Sequence, residues 1–380
     1  MNLKTGSSRI YGLDVYRAMA IGMVVISHAN YIFQGYDFEG FQILGVQGVE
    51  LFFVLSGFLI GGLLLRLLNT TTLHWRDVLY FWIRRWFRTL PLYYTMLLVN
   101  IIIALIVGYG LPENLWKYLF FLQNFWDYHT PFFPESWSLS VEEYAYVLAP
   151  LCLYTGHKVF KKVQNKETLF LAVSIFLVLL FFVTKWYYYS AVMESVPSLN
   201  IWNARLKSIV IYRLDAIFYG FILVYYFNKY KTQLERAKYI FFFLGLVLCV
   251  AVLIIMPLMG VTIEQFPFYW NVLYLPLNSI GLCLIMPLFY FLKPPRERYA
   301  TIIKNISLYS YAMYLLHYTF ILYLMQLWLD FNSLDIWQQM LCLLVYLMAT
   351  YFGSYLVYTY FESPCTNLRE SFRNMRFFSE

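Results

Sequence analysis

Ten apolar segments of about 18–22 residues, each long enough to cross a membrane as an α-helix, dominate this chain of 380 residues. Only 13% of the residues are charged, about half the share that a soluble domain carries. The sequence therefore predicts an all-α, polytopic membrane bundle of about ten transmembrane helices, with a single integral membrane domain over residues 1–380. The predicted spans are 14–33, 48–67, 89–108, 138–155, 168–186, 208–227, 239–257, 271–292, 307–328 and 336–358.

The basic residues predict how the bundle is oriented. Of the 28 Lys and Arg residues, 22 fall on the side of the N-terminus, 4 on the opposite side and 2 within spans. Because cytoplasmic loops are rich in Lys and Arg, both termini are predicted to be cytoplasmic, with a short polar tail from about residue 360. The same asymmetry explains the net charge of +7, so no nucleic-acid partner is predicted. The five cysteines show no metal-ligand spacing, and no metal site is predicted.

The first predicted helix carries three ionisable residues, Asp14, Arg17 and His28. Such residues are costly inside a membrane and usually functional. Arg17 and His28 are separated by about three helical turns and should therefore lie on one face, roughly 16 Å apart. Asp14 precedes Arg17 by one turn, which predicts an ion pair between them. The alternative is that Asp14 and Arg17 only anchor the end of the helix.

A second histidine, His317, lies in the middle of the ninth predicted span. It lies roughly 15 Å from the inner face and His28 roughly 21 Å, by the helical rise per residue. Two histidines at comparable depth are predicted to share one cavity, where a neutral imidazole can abstract a proton near pH 7. The alternative is that His317 is a packing residue hydrogen-bonded to a neighbouring helix.

Three arginines, Arg84, Arg85 and Arg88, precede the third predicted span. Arg84 and Arg88 are four residues apart and are predicted to share a helix face. Guanidinium groups bind phosphate through paired hydrogen bonds, so the cluster suits a polyphosphate ligand. The alternative is an anchor that binds the phosphates of membrane lipids.

Two acidic residues, Glu142 and Glu143, interrupt the fourth predicted span, with Ser138 one turn before the first of them. A buried carboxylate can orient a histidine or bind a hydroxyl donor. The helix N-terminus offers another explanation, above all for Glu143. Elsewhere, Glu50 is predicted at the outer end of span two. Arg213 is predicted to line the outer mouth or to pair with one of the acids.

Together these segments resemble the acyltransferase-3 family of membrane acyltransferases, and the likeness runs over most of the chain. The motifs that carry it are GLDVYRAMAIGMVVISH, GVELFFVLSGFLIG, RRWFRTLPLYY and SWSLSVEEYAYVL, with the weaker RLDAIFYGFIL, LYSYAMYLLH and YFESPCTNLR after them in order.

The resemblance implies an enzyme of the bacterial plasma (inner) membrane that needs no bound cofactor. It implies acyl-CoA, usually acetyl-CoA, as a donor entering from the cytoplasm, and a hydroxyl of a surface glycan, lipid-linked sugar or peptidoglycan as acceptor. By resemblance His28 would be the catalytic histidine and Glu142 the key acid of its motif. The donor-binding residues would be Arg17, Arg84, Arg85 and Arg88. The residue patterns above add Asp14, Glu50, Ser138, Glu143, Arg213 and His317 as candidate supporting residues.

Two other classes of function are compatible with buried ionisable residues. One is a proton-coupled transporter in which His28, Glu142 and His317 form the proton relay. Transporters usually contain internal repeats, and none is found in this sequence. The other is a structural or sensing membrane protein, which would leave the buried ionisable residues without a role. The acceptor, the length of the acyl chain and the oligomeric state stay open.

Overall fold

The computed structural model of this chain describes residues 9–33, 40–70, 73–128, 131–160, 165–193 and 196–373. This part of the chain is helical and contains no β-strand, as the all-α prediction requires. Its α-helices are α1 (Tyr11–His28), α2 (Gly40–Thr70), α3 (Trp75–Val107), α4 (Ser136–Val159), α5 (Lys166–Tyr187), α6 (Leu199–Trp202), α7 (Asp215–Val250), α8 (Met256–Leu258), α9 (Tyr274–Tyr290), α10 (Glu297–Leu316), α11 (Leu324–Trp328), α12 (Ile336–Val357) and α13 (Ser363–Arg373).

Several of these helices are suited to a membrane. Six helical segments of the described residues are long and apolar enough to cross one. They are Phe41–Asn69, Trp75–Val107, Lys166–Val192, Asp215–Leu258, Tyr269–Tyr290 and Ile336–Arg369. The length and apolar composition of these helices make the protein a multi-pass membrane protein. Helices α1 and α4, which carry six of the twelve predicted site residues, and α10, which leads into His317, are not among the six. The count of ten spans and the cytoplasmic side of the termini stay predictions.

Helix α7 is too long for a single membrane crossing. Its 36 residues would measure about 54 Å if straight, well beyond the ~30 Å of a hydrocarbon core. The backbone leaves the helical conformation at Tyr230, where φ is −126° and ψ is 33°. Two of the predicted spans, 208–227 and 239–257, therefore correspond to the two halves of α7, before and after Tyr230.

The contacts of these two halves show that the chain reverses between them. Just before the first half, Arg213 pairs with Glu50, which also accepts a hydrogen bond from Ser279 of α9. In the second half, Gly245 packs against the backbone of Gly281, two residues further along α9. Both ends of α7 therefore lie at the same level of α9, and the halves run antiparallel to each other.

Small residues let α2 and α7 approach closely. A Cβ on Gly57 would lie 1.9 Å from the carbonyl oxygen of Ile217, and one on Gly61 would lie 3.1 Å from the ring of Phe221. Gly62 meets nothing within 4 Å. Close packing at Gly57 and Gly61 brings the backbones of the two helices together beside the site.

The C-terminal segment predicted as a polar tail is helical where it is described. A π-helical turn over Tyr358–Glu362 leads from α12 directly into α13. Helix α13 packs against α3, the helix that carries the arginine cluster. Residues 374–380 lie outside the described residues.

Candidate active site

A cavity lies between α1, α2, α3, α4 and α10. It encloses about 760 Å³ of empty space, including space open to solvent. Its apolar wall comes mainly from α2, through Val49, Phe52, Phe53, Leu59 and Ile60. The polar side chains in its wall are Arg17, Ser56, Arg85, Arg88, Thr89, Ser138, Glu142, Tyr146, Ser310, Tyr311 and Tyr314.

Three arginines line this cavity: Arg17 from α1, and Arg85 and Arg88 from α3. None of them forms an ion pair within the described residues. Arg84 lies outside the cavity lining, with its guanidinium 5.6 Å from the centre of the Tyr80 ring. Arg84 and Arg88 are four residues apart on α3, as predicted, but the two arginines of α3 that line the cavity are Arg85 and Arg88, which are three residues apart and also neighbours on a helix.

One face of α4 carries the acid of the cavity. Ser138, Glu142 and Tyr146 are spaced four residues apart, so a single helix face presents all three. Ser56 of α2 donates a hydrogen bond of 2.8 Å to Oε1 of Glu142, and the Tyr146 hydroxyl donates one of 2.9 Å to Oε2. Both carboxylate oxygens of Glu142 are thus held in place by hydroxyl groups.

The neighbouring acid, Glu143, has a different role in the structure. It is buried and accepts a hydrogen bond of 2.6 Å from the Thr89 hydroxyl of α3. Glu143 therefore joins α4 to α3 one residue after Arg88. The two acids that the sequence places side by side point toward different partners.

A chain of contacts leads from the cavity to the two histidines. The hydroxyls of Ser138 and Tyr314 are 2.6 Å apart, and Tyr314 lies one turn before His317 on the same helical segment. The rings of Tyr314 and His317 have centroids 5.8 Å apart. Nε2 of His317 lies 3.3 Å from Nδ1 of His28. The two histidines predicted at comparable depth contact each other directly, although neither belongs to the cavity lining.

The surroundings of His28 are aromatic and contain one cation. The rings of Tyr31 and Tyr318 lie with centroids 6.4 and 4.8 Å from the His28 ring. Lys207, which precedes α7, is close enough to act on His28 electrostatically. Its ammonium lies 5.4 Å from the centre of the Trp137 ring. Burial, reinforced by Arg213, lowers the pKa of Lys207 to about 8.

Asp14 does not pair with Arg17 as predicted. It accepts hydrogen bonds of 2.6 Å from Nε of Arg9 and 2.8 Å from the Ser307 hydroxyl. Helix α1 packs against α10, which brings Ser307 beside Asp14. The Arg17 side chain instead lines the cavity.

A second group of charges lies behind the wall of the cavity. Glu50 pairs with Arg213, and Lys185 pairs with Asp215. All four side chains are at most 1% exposed. The prediction that Arg213 pairs with an acid is confirmed. Glu50 was predicted at the outer end of its helix and is instead completely buried. Lys185 is one of the four basic residues that the predicted orientation assigns to the side opposite the N-terminus, and it is also buried.

The sequence interpretation did not single out five side chains that the structure brings to the site. They are Thr89, Lys207, Tyr146, Tyr311 and Tyr314. Three of them had a local signal, because Thr89 follows Arg88, Tyr146 lies one turn after Glu142 and Tyr314 lies one turn before His317. Tyr311 and Lys207 had none, since their place depends on how distant segments pack.

Relatives of this chain are bacterial proteins named as O-acetyltransferases. The "Peptidoglycan O-acetyltransferase OatA" of Listeria monocytogenes is 31% identical over 171 residues, covering 40% of this chain and 26% of that protein. The "Putative peptidoglycan O-acetyltransferase YrhL" of Bacillus subtilis is 32% identical over 168 residues, covering 40% of this chain and 25% of that protein. A Staphylococcus aureus protein named "Putative O-acetyltransferase" is 27% identical over 243 residues, covering 60% of this chain and 37% of that protein.

This chain thus spans only 25–37% of the length of these relatives. No solved structure matches it significantly. The model of the acyltransferase-3 family, described as an acyltransferase domain, matches residues 10–359. That range contains the whole cavity, both histidines and the buried ion pairs, and the chain therefore belongs to the acyltransferase-3 family.

Proposed function

We propose that this protein is an O-acetyltransferase of the bacterial inner membrane. It transfers the acetyl group of cytoplasmic acetyl-CoA to a hydroxyl of a cell-envelope glycan. One observation carries the proposal: a single cavity has three arginines in its wall that form no ion pair within the described residues, and it connects through Tyr314 to a pair of contacting histidines.

The arginine part of the cavity suits the donor. Coenzyme A carries several phosphates, and Arg17, Arg85 and Arg88 supply planar donors for paired hydrogen bonds to phosphate oxygens. Because none of the three forms an ion pair within the described residues, their N–H groups are available to an anionic ligand. The thioester end of the donor would then extend toward Ser138 and Tyr314.

The histidine part of the site suits the chemical step. His28 takes the proton of the acceptor hydroxyl, whose oxygen then bonds to the thioester carbonyl carbon. The carbon–sulfur bond breaks, and the coenzyme A thiolate receives the proton from the His28 imidazolium. Positioning donor and acceptor together contributes further to the rate. Glu142, held by Ser56 and Tyr146, keeps a negative charge beside the arginines and orients the groups that receive the donor.

The acceptor is proposed from the relatives. Two of them are named as peptidoglycan O-acetyltransferases, so a glycan of the envelope, reached from the outer side, is the substrate to test first. Family membership does not favour the transporter with His28, Glu142 and His317 as its relay, because the family is one of acyltransferases.

The test is turnover of acetyl-CoA by purified protein in lipid vesicles, together with mass spectrometry of envelope glycans from cells that express it. His28→Ala is expected to reduce acetyl transfer by about 10²–10⁴-fold, the usual contribution of a general base. His157→Ala, in the last turn of α4 and outside the cavity lining, is the matched control and should keep its activity.

Equal transfer by wild type and His28→Ala would remove His28 from the reaction. Absence of turnover by the wild type with acetyl-, propionyl- and longer acyl-CoA would overturn the proposal as a whole.

A further inference from the structure

The orientation of His317 is determined by two backbone carbonyls. Its Nδ1 lies 2.8 Å from the carbonyl oxygen of Tyr314 and 3.2 Å from that of Met313. A carbonyl oxygen only accepts hydrogen bonds, so Nδ1 must carry the hydrogen. His317 is 0% exposed and forms no ion pair with any described residue, and a buried ring without a counter-charge is held neutral. Nε2 of His317 therefore presents a lone pair.

That lone pair faces His28. Nε2 of His317 lies 3.3 Å from Nδ1 of His28, and the carbonyl oxygen of Val24 lies 2.9 Å from the same nitrogen. Both neighbours are acceptors, so Nδ1 of His28 carries a hydrogen that the two share in a three-centre bond. A neutral imidazole has one N–H, which leaves the lone pair of His28 on Nε2. Among the described residues, no hydrogen bond occupies that Nε2.

The segment that presents His317 is itself irregular and anchored. The chain changes from α-helix to a π-helical turn at His317–Tyr323, a feature frequent at functional sites. Within this turn the backbone N–H and the hydroxyl of Thr319 donate hydrogen bonds of 3.3 and 2.9 Å to Glu135, which directly precedes α4. Glu135 and Thr319 thereby hold the turn against α4.

We propose that His317 is a positioning residue for the reaction described above: its Nε2 holds the Nδ1–H of His28 and so directs the Nε2 lone pair of His28 to the acceptor hydroxyl. This inference rests on the proposed function. When His28 Nε2 takes the hydroxyl proton, the positive charge spreads over the ring, and the Nδ1–H bond to His317 strengthens. The arrangement matches the way in which a third group orients the base in hydrolytic triads, with a neutral imidazole in the place of a carboxylate.

The test compares two substitutions of the same length. In His317→Gln the side-chain oxygen is as many bonds from Cα as Nε2 of histidine and still accepts a hydrogen bond. In His317→Met a methyl group occupies that place and accepts none. His317→Met is expected to lower kcat by about 10- to 100-fold, as loss of an orienting partner typically does. The KM for acetyl-CoA should change less than about twofold, and His317→Gln should recover most of the lost kcat.

A double variant separates positioning from packing. His28→Ala combined with His317→Met should be no slower than His28→Ala alone, because His317 acts only through His28. Additive losses, or equal losses in the Gln and Met variants, would overturn the inference. Each variant is assayed after size-exclusion chromatography in detergent, and His317→Leu replaces His317→Met if the latter does not accumulate.

The two proposals fail in different ways. If His28→Ala inactivates the enzyme while His317→Met retains full kcat, the positioning role is wrong and the proposed function stands. If His28→Ala retains wild-type turnover, the proposed function fails first, and the role of His317 fails with it.

Discussion

The cavity and the buried cluster behind it both place charged side chains inside the bundle, yet they treat charge in opposite ways. In the cluster of Glu50, Arg213, Lys185 and Asp215, each cation has its own carboxylate and all four side chains are buried. In the cavity, the guanidinium groups of Arg17, Arg85 and Arg88 have no ion-pair partner in the described part of the chain. The two regions are adjacent, since Arg213 lies 5.5 Å from the Phe53 ring that also lines the cavity.

The difference separates a structural from a functional use of buried charge. Charges that are paired and completely desolvated hold neighbouring helices in one arrangement, and removing one partner is costly. Unpaired cations in the wall of a cavity keep an affinity for an anion that is not part of the protein. Composition and hydropathy do not distinguish the paired charges of the cluster from the arginines of the cavity. Substitutions in each region test whether their roles differ.

The largest expected effect is on stability, in the cluster. Glu50→Ala should lower the free energy of unfolding by about 3–5 kcal/mol, because it leaves Arg213 buried without a counter-charge. Thermal unfolding of purified protein in detergent measures this. Replacing the pair together, as Glu50→Leu with Arg213→Met, should restore most of the stability, since apolar groups of similar volume often substitute for a buried pair. A wild-type melting temperature for Glu50→Ala would contradict the structural reading.

The next effect is on donor binding, in the cavity. Arg88→Ala and Arg85→Ala should each raise the KM for acetyl-CoA about 10- to 100-fold, the equivalent of one charge-assisted hydrogen bond, without lowering the melting temperature. Arg84→Ala should raise it less, because that side chain lies on the Tyr80 ring outside the lining. Steady-state kinetics with varied acetyl-CoA measure this. Equal effects at Arg84 and Arg85 would show that surface charge, rather than the cavity, binds the donor.

A packing prediction tests the contact that holds the two regions together. Gly57→Ala should destabilise the protein by about 1–3 kcal/mol through overpacking, because the added methyl would meet the Ile217 carbonyl at 1.9 Å. Gly62→Ala gains the same helix propensity and meets nothing within 4 Å, so it should be neutral or slightly stabilising. Paired melting curves isolate the packing contribution. Equal melting temperatures for the two variants would rule out close contact between α2 and α7.

The smallest effect concerns Lys207, which interacts electrostatically with Arg213 and Glu50 of the cluster and with His28. Burial lowers its pKa to about 8, below its value in the unfolded chain, near 10.4. Between these values the unfolded state binds more protons, so stability should rise as the pH increases from 8 to 10. Lys207→Met should lose this contribution, giving a flatter dependence of the melting temperature on pH. Parallel curves for wild type and variant over that interval would contradict the shifted pKa.

Local patterns were sufficient for several parts of the site. Arg17, Ser138 and Glu142 were all predicted as site residues, and all three line the cavity. The motif resemblance was also sufficient for the family. Local patterns were not sufficient for Arg84 and Arg85, because spacings of three and four residues both place arginines near Arg88, and only the helices packed around α3 decide which one faces inward.

The sequence by itself determined that this chain is an all-helical membrane protein, which family it belongs to and which few ionisable residues to examine. These properties depend on the length and polarity of segments and on short motifs, which are local. Only the tertiary structure decided which charges neutralise each other and which side chains meet. Asp14 pairs with Arg9 rather than Arg17, Glu50 pairs with Arg213, and His28 contacts His317 across 289 residues. Such contacts depend on which helices pack side by side and at what register, which no local pattern records.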